Sequence, residues 1–255
     1  MLALQHLTLS DNRIEQFPKG ICKLPSLDIL DLSGNLMQTI PPEVNELEDL
    51  SSLILDRNKF EEFPAELCTM KGLEKLSLES NPLKIMIDEL YLMRTLVELN
   101  ISNTQFDEFP VEVCLIPNIA NLQYDQSAGK KMDVLPENIA EMVNLKELNV
   151  DNNCLTTLPV VIGRLNELQK LSAANNQITH LPESLCALQN LTALYLDNNQ
   201  LAKLPTHFDN LINMEDLRLE ENPLLHPPTD ICDGGILQPI AFFLQRSQER
   251  EGIGW

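Results

Sequence analysis

The unit L-x-x-L-x-L-x-x-N restarts along almost the whole chain, opening at Leu4, Leu27, Leu50, Leu73, Leu96, Ile119, Leu145, Leu168, Leu191 and Met214. Every interval is 23 residues except that from Ile119 to Leu145, which is 26. A fixed period of this length predicts a solenoid with one strand, one turn and one return segment per repeat. A single repeat cannot bury its own apolar face, so the core must form by stacking neighbours. The 255 residues therefore read as one elongated domain, a repeat array over 1–228 with an insertion near 125–133, followed by a cap helix and tail over 229–255.

Repeat nine shows how one unit works. Leu191, Leu194 and Leu196 point inward while Ala193 and Tyr195 alternate outward, the period of a short strand. Asn199 closes the unit; its amide can donate and accept together, so stacked copies should form a ladder satisfying backbone groups where the chain leaves the strand. Proline follows eight of the ten opening residues by fourteen, at Pro18, Pro41, Pro64, Pro110, Pro159, Pro182, Pro205 and Pro228, with Pro136 joining once the three extra residues are counted. Without an N–H and with φ fixed, it predicts short extended or 3-10 return segments with only occasional helical turns. Tight strands inside and wider segments outside make such a stack curve.

The fuller pattern L-x-x-L-x-L-x-x-N-x-L-x-x-L-P-x-x-I-x-x-L is almost intact at Leu145–Leu165 and Leu168–Leu188. It resembles the intracellular leucine-rich repeats of Ras-associated scaffolds, Ras suppressor proteins, plant Ras-group-related proteins and Scribble-like polarity proteins. The fold class is accordingly α/β: a curved horseshoe of about ten repeats, a parallel β-sheet on its concave face, short extended, 3-10 or helical convex segments, and a C-terminal capping helix. The tail Asn222-Pro223-Leu224, Pro227-Pro228, Gly235, Ile240 and Phe243-Leu244 resembles the segment that closes such arrays. Pro239 can open a helix with Ile240, Phe243 and Leu244 on one face and Arg246 and Arg250 near its end. The resemblance implies a non-catalytic platform for another protein, with small GTPases of the Ras type or their regulators as the partner class. The alternative is the sensing or substrate-recognition arm of a larger multidomain enzyme or receptor.

Charge narrows the partner. A formal net charge of −20 repels phosphate backbones and anionic lipid headgroups, which argues against nucleic-acid and membrane-surface roles. There is no run of about 18 apolar residues and no signal sequence, so a cytoplasmic setting is expected, with the nucleus as the other choice. Cys22, Cys68, Cys114, Cys186 and Cys232 share one register position, five before an opening residue or its tail equivalent. Stacked repeats keep even the closest of them roughly 10 Å apart, beyond disulfide reach, so they read as small buried hydrophobes. His6, His180, His207 and His226 are scattered and no His-x-x-x-His, Cys-x-x-Cys or nucleophile elbow occurs, so no catalytic residue, cofactor or metal is expected. Paired acids such as Glu61-Glu62 and Glu220-Glu221 read as solvated faces, and the sequons at Asn100 and Asn190 carry no weight without secretion.

The pattern breaks in a few places. Thr104 and Ser127 stand where the ladder asparagine belongs, and the same stretch holds the insertion with Lys130-Lys131, so flexibility is expected to concentrate there. That insertion reads as a tolerated loop ahead of a basic finger. Repeat four has Ile87 in place of proline, followed by a segment able to form a true helical turn; its Tyr91 occupies the cysteine register and is expected to be buried. Ala173 makes a small rung in repeat eight. The chain begins in phase, Met1 falling where Leu24, Leu47, Met70 and Met93 recur, without a cap. This points to a piece of a longer repeat protein, or to self-association through an uncapped N-terminal edge.

Outward positions form three columns. The seventh holds six acids, Asp56, Glu79, Asp125, Asp151, Asp197 and Glu220, so one stripe should be negative and suit a basic patch. Glu147 adds to it from the third column. Tyr195 and Arg218 on adjacent strands are the expected anchors, because aromatic residues and arginine dominate binding hot spots. Ile29 and Ile54 offer an apolar patch at the other end.

Overall fold

The computed structural model describes residues 4–228, 231, 240 and 242–244. It comprises two compact units, Met1–Lys130 and Lys131–Trp255. In the first, β1 (His6–Thr8), β2 (Ile29–Asp31), β3 (Ser52–Ile54), β4 (Lys75–Ser77), β5 (Glu98–Asn100) and β6 (Asn121–Gln123) pair in chain order. In the second, β7 (Glu147–Asn149), β8 (Lys170–Ser172), β9 (Ala193–Tyr195) and β10 (Asp216–Arg218) do the same. All these pairs are parallel and in register at the repeat length, Leu30 opposite Leu53 and Leu171 opposite Leu194. The middle residue of a strand is buried and its flanks half-buried in most strands, which puts the third and fifth positions of each unit on the outward face.

Return segments are 3-10 turns: Lys19–Lys23, Pro42–Glu46, Ala65–Thr69, Asp88–Leu92 and Val111–Leu115 in the first unit, Glu137–Glu141, Val160–Arg164, Glu183–Ala187 and Phe208–Asn210 in the second. Proline precedes seven of them, with φ near the value its ring imposes, −66° before Val160 for example. Repeat four forms the same 3-10 turn from Ile87, not an α-helical one. Its carboxylates Asp88 and Glu89 lie in the first turn, where they suit unpaired N–H groups as well as proline does.

The asparagine ladder forms as expected. Asn35 Oδ1 accepts from the Ile14 N–H at 3.0 Å, while its Nδ2 donates to the Leu9 and Leu32 carbonyls at 3.0 and 2.9 Å. Asn58, Asn81, Asn176, Asn199 and Asn222 repeat this geometry. The rung at repeat six is different from the sequence reading: it is Gln126, fully buried, not Ser127, which is exposed. Its Oε1 accepts from Thr104 N–H at 3.1 Å and its Nε2 donates to Thr104 Oγ1 at 3.3 Å. The extra methylene lets glutamine reach the rung from one residue earlier, and Thr104 closes its own rung by donating Oγ1 to the Ile101 carbonyl at 3.0 Å.

The insertion is tied down on the repeat before it. Ala128 N–H donates to Asn103 Oδ1 at 2.7 Å and Lys130 N–H to the Thr104 carbonyl at 2.8 Å. Lys130 is paired with Asp107, and Lys131 Nζ donates to the Asn152 carbonyl at 2.9 Å, so neither is a free cation. Cys22, Cys68, Cys114 and Cys186 are buried; Cys232 lies outside the described residues. Tyr91 corrects the expectation drawn from that register: it is 53% exposed. A phenol cannot fit where a thiol fills the gap between two stacked turns, so the ring is turned out. At the N-terminal edge Leu4 is 38% exposed while its equivalents Leu27 and Leu50 are buried. Of the expected cap helix, Ile240 and Leu244 are buried a helical turn apart, and Phe243 meets the His226 ring edge-on at 5.1 Å; Pro239, Arg246 and Arg250 lie outside the described residues.

Candidate protein-binding surface

In the second unit the outward face carries a cluster centred on Tyr195. Arg218 lies directly opposite it across the β9–β10 pair, and its guanidinium sits 4.2 Å above the ring centroid. Lys170 Nζ, from β8, lies 5.3 Å from the same centroid. The Tyr195 hydroxyl donates to Asp216 Oδ2 at 2.6 Å, and that bond to a carboxylate holds its proton more tightly than in a free tyrosine. Arg218 is also 3.5 Å from Asp216. The ring is thus held by one strand neighbour on each side while half of the Arg218 side chain stays in solvent. Such contacts order Tyr195 and Arg218 in the free chain, so much of their rotamer entropy is already lost.

Sequence reading paired Tyr195 with Arg218 but passed over Lys170 and Asp216. The signal is a diagonal one: a side chain at the fifth position reaches the third position of the next strand, 21 residues on. Asp151 and Asp56 use a diagonal of the same length from the seventh position to the fifth.

The acids of the seventh column do not all face solvent as ligands. Asp56 Oδ1 accepts from Ser77 Oγ at 2.5 Å and from the Glu79 N–H at 2.9 Å. Asp151 Oδ1 accepts likewise from Ser172 Oγ and the Ala174 N–H, both at 2.7 Å. These two brace adjacent strands. Glu79 takes the Asn100 and Asn103 amides at 3.0 and 3.3 Å, and Asp125 takes the Ser127 N–H at 2.7 Å. Asp197 keeps one buried oxygen, Oδ1, with no donor on it, because Arg218 stands where Ser77 and Ser172 stand in their repeats and has turned to Tyr195. Glu220 is exposed and Glu147 half-exposed beside Lys170 in the β7–β8 register. Column membership alone could not separate bracing acids from free ones.

In the first unit Ile29 and Ile54 lie on adjacent strands but diagonally, Ile29 opposite Ser52 and Ile54 opposite Asp31. Both are half-buried, so polar neighbours interrupt the apolar patch. A hollow of about 260 Å³ over β3 to β6 is crossed by the Lys75–Glu98 ion pair at 2.7 Å.

Burial raises the Asp56 carboxyl above its ordinary range against the lowering effect of Ser77 and Glu79. A raised folded value means the native state holds the proton more readily, so this group's contribution is full below the unfolded value near 3.8 and is lost as pH rises through the folded one. Asp56→Asn keeps an acceptor for Ser77 and Glu79. It is expected to raise stability at pH 7 and to change little at pH 3; equal effects in melts at both pH values would remove the desolvation account.

Thiol chemistry finds no support at the buried cysteines. Burial pushes the Cys68 thiol to about 11 and the Cys186 thiol to about 12, so both are protonated at neutral pH and shielded. Among the described residues no group of three or more His, Cys, Asp or Glu is placed to hold a metal ion, and no helix is long and apolar enough to cross a membrane.

Comparison with known proteins sets these observations in a family. No curated protein matches the chain. A leucine-rich repeat protein of Leptospira interrogans is 33% identical with a TM-score of 0.79; the match covers 88% of this chain and 56% of that one, so the chain spans little more than half of its length. The plant peptide hormone receptor RGFR1, solved in complex with RGF2, is 25% identical with a TM-score of 0.64, over 89% of this chain and 43% of that one. Drosophila Toll, from the Toll–Spatzle complex, shares the fold at 23% identity and a TM-score of 0.76, over 89% and 31%. The family model of the leucine-rich repeat region matches residues 1–127 and 122–223, nearly the whole array. With its repeat-length register, buried leucines and asparagine ladder, the chain belongs to the leucine-rich repeat family.

Proposed function

We propose that this chain is a non-catalytic platform that binds another protein on the outward strand face, anchored in the second unit by Tyr195 and Arg218. The observation that carries this is the Lys170–Tyr195–Asp216–Arg218 cluster: an aromatic ring and a guanidinium ordered in advance and open to solvent. The family's general use of such arrays without catalysis, and the peptide hormone receptor in complex with RGF2, support the reading. Around the anchor Glu147, Asp197 and Glu220 outnumber free cations, since Lys170 and Arg218 are both committed to the ring. The matching partner surface is basic. A small GTPase of the Ras type or its regulator rests on the sequence resemblance alone.

The second reading, a recognition arm of a larger enzyme or receptor, has one observation in its favour. The matched proteins extend well beyond the length shared with this chain. Both readings place the partner on the same face. Affinity capture with mass spectrometry on wild type, Tyr195→Ala and Arg218→Glu identifies partners, and titration then measures them. Each substitution should weaken binding by about thirtyfold, the effect of losing a 2 kcal/mol hot spot, with unchanged circular dichroism. Unchanged affinity in both would move the partner off this surface. Sedimentation of the same proteins tests self-association through the β1 edge.

A further inference from the structure

The side of the repeats opposite the strands carries a second departure that stability does not require. The last residue of each 3-10 turn is exposed in all nine turns. Seven turns place there Lys23, Glu46, Thr69, Glu141, Arg164, Ala187 or Asn210, polar or small as a solvated convex position should be. The two remaining, consecutive turns place Leu92 and Leu115, 39% and 38% exposed. Tyr91, next to Leu92, is 53% exposed, and Val111 on the same turn as Leu115 is 41% exposed. Because the repeats are stacked in register, Leu92 and Leu115 occupy equivalent places on neighbouring turns, and Tyr91 and Val111 add exposed apolar surface on the same two turns.

Nothing in the core demands them. Leu90 and Val113, the inward residues of the same two turns, are fully buried without help from their outward neighbours. Elsewhere Lys23, Glu46, Thr69, Glu141, Arg164, Ala187 and Asn210 stand at the position of Leu92 and Leu115 and support the same 3-10 turn. Contiguous apolar surface with no internal use marks a contact site.

The rim says what kind of contact. The two turns carry Asp88, Glu89 and Glu112 and no cation, and Glu66 stands on the turn before, close enough that it and Glu89 both act on the Cys68 thiol. Arg94 alone follows. A second copy of this chain would bring another acidic rim and another net charge of −20 against the first, and anionic lipid would be repelled in the same way. A partner whose apolar residues are flanked by Lys or Arg gains on both counts. We propose that Tyr91, Leu92, Val111 and Leu115 form a docking site for a short basic amphipathic segment of a partner protein, separate from the strand face.

The variants can be drawn from the chain's own repeats, which protects the fold: Tyr91→Asn copies Asn45, and Leu92→Thr and Leu115→Thr copy Thr69. None changes the net charge. The probe is a fluorescent helical peptide of about 18 residues, five turns, with leucines on one face and lysines on the other. One control has glutamates for the lysines, and another has serines for the leucines. In fluorescence anisotropy on the full chain the Leu/Lys peptide should bind wild type about tenfold more tightly than the triple variant, and more tightly than either control peptide binds wild type. Leu92→Thr alone should lose about threefold, and Val160→Thr, at an exposed turn residue outside the patch, nothing. Equal binding to wild type and triple variant, or binding of the serine control as tight as that of the Leu/Lys peptide, would reduce the effect to bulk charge and overturn the site. Self-association of wild type that the triple variant abolishes would show that the patch pairs with a second copy, and would overturn the choice of a basic partner.

Discussion

Replacing Asn58 with alanine is expected to lower the free energy of unfolding by about 3 kcal/mol, more than any surface change in this chain. Asn58 is buried, and its single amide serves two repeats. Oδ1 accepts from the Met37 N–H at 3.0 Å, and Nδ2 donates to the Leu32, Leu55 and Asp56 carbonyls at 3.0, 3.0 and 3.2 Å. Alanine leaves a buried N–H and carbonyls without this partner, and each stranded group costs about 1–3 kcal/mol. Aspartate should not rescue, because a carboxylate cannot donate to three carbonyls and is itself penalised by burial. Thr104→Ala should cost about 1 kcal/mol, since that hydroxyl makes one bond to the Ile101 carbonyl and accepts one from Gln126. Urea denaturation of the three variants gives the ranking; a loss below about 1 kcal/mol for Asn58→Ala would mean that water replaces the ladder at little cost.

Gly163→Ala is the second large effect. Glycine stands there in the register that cysteine occupies in Cys68 and Cys186, and the backbone of the next turn approaches it closely. A Cβ at Gly163 would lie 2.3 Å from the Ser184 carbonyl oxygen and 2.8 Å from its carbon, both backbone atoms. Ser184 Oγ in turn donates to the Val160 carbonyl at 2.6 Å, which holds the two turns together. They would have to separate, at about 2–3 kcal/mol. Gly20 is the internal comparison: nothing lies within 4 Å of its Cβ position, so Gly20→Ala should be neutral or slightly stabilising. Equal melting temperatures for the two alanine variants would show that the turns yield without cost.

Much of this molecule was legible because each residue's chief neighbour is its equivalent one repeat away. Strand positions, buried leucines, ladder asparagines and proline-led 3-10 turns all follow from that spacing. The reading failed where a side chain left its column. Gln126 replaced Ser127 as the rung because reach, not position, decides which amide arrives. Tyr91 turned outward because volume decided against the cysteine site. The candidate binding residues divided in the same manner: Tyr195 and Arg218 met as expected, while Asp56 and Asp151 proved to be braces between strands.

The repeat, its register and its acidic character depend on spacing and composition, and so can be read from the residues in order. Which polar groups are spent inside the frame and which stay exposed is settled by packing between the strands. Diagonal contacts between strands draw Ser77 to Asp56 and Asp216 to Tyr195, while Arg218, directly opposite Tyr195, turns onto its ring. Such choices turn on a few ångströms of reach and on what burial costs each charge, and no periodicity records them.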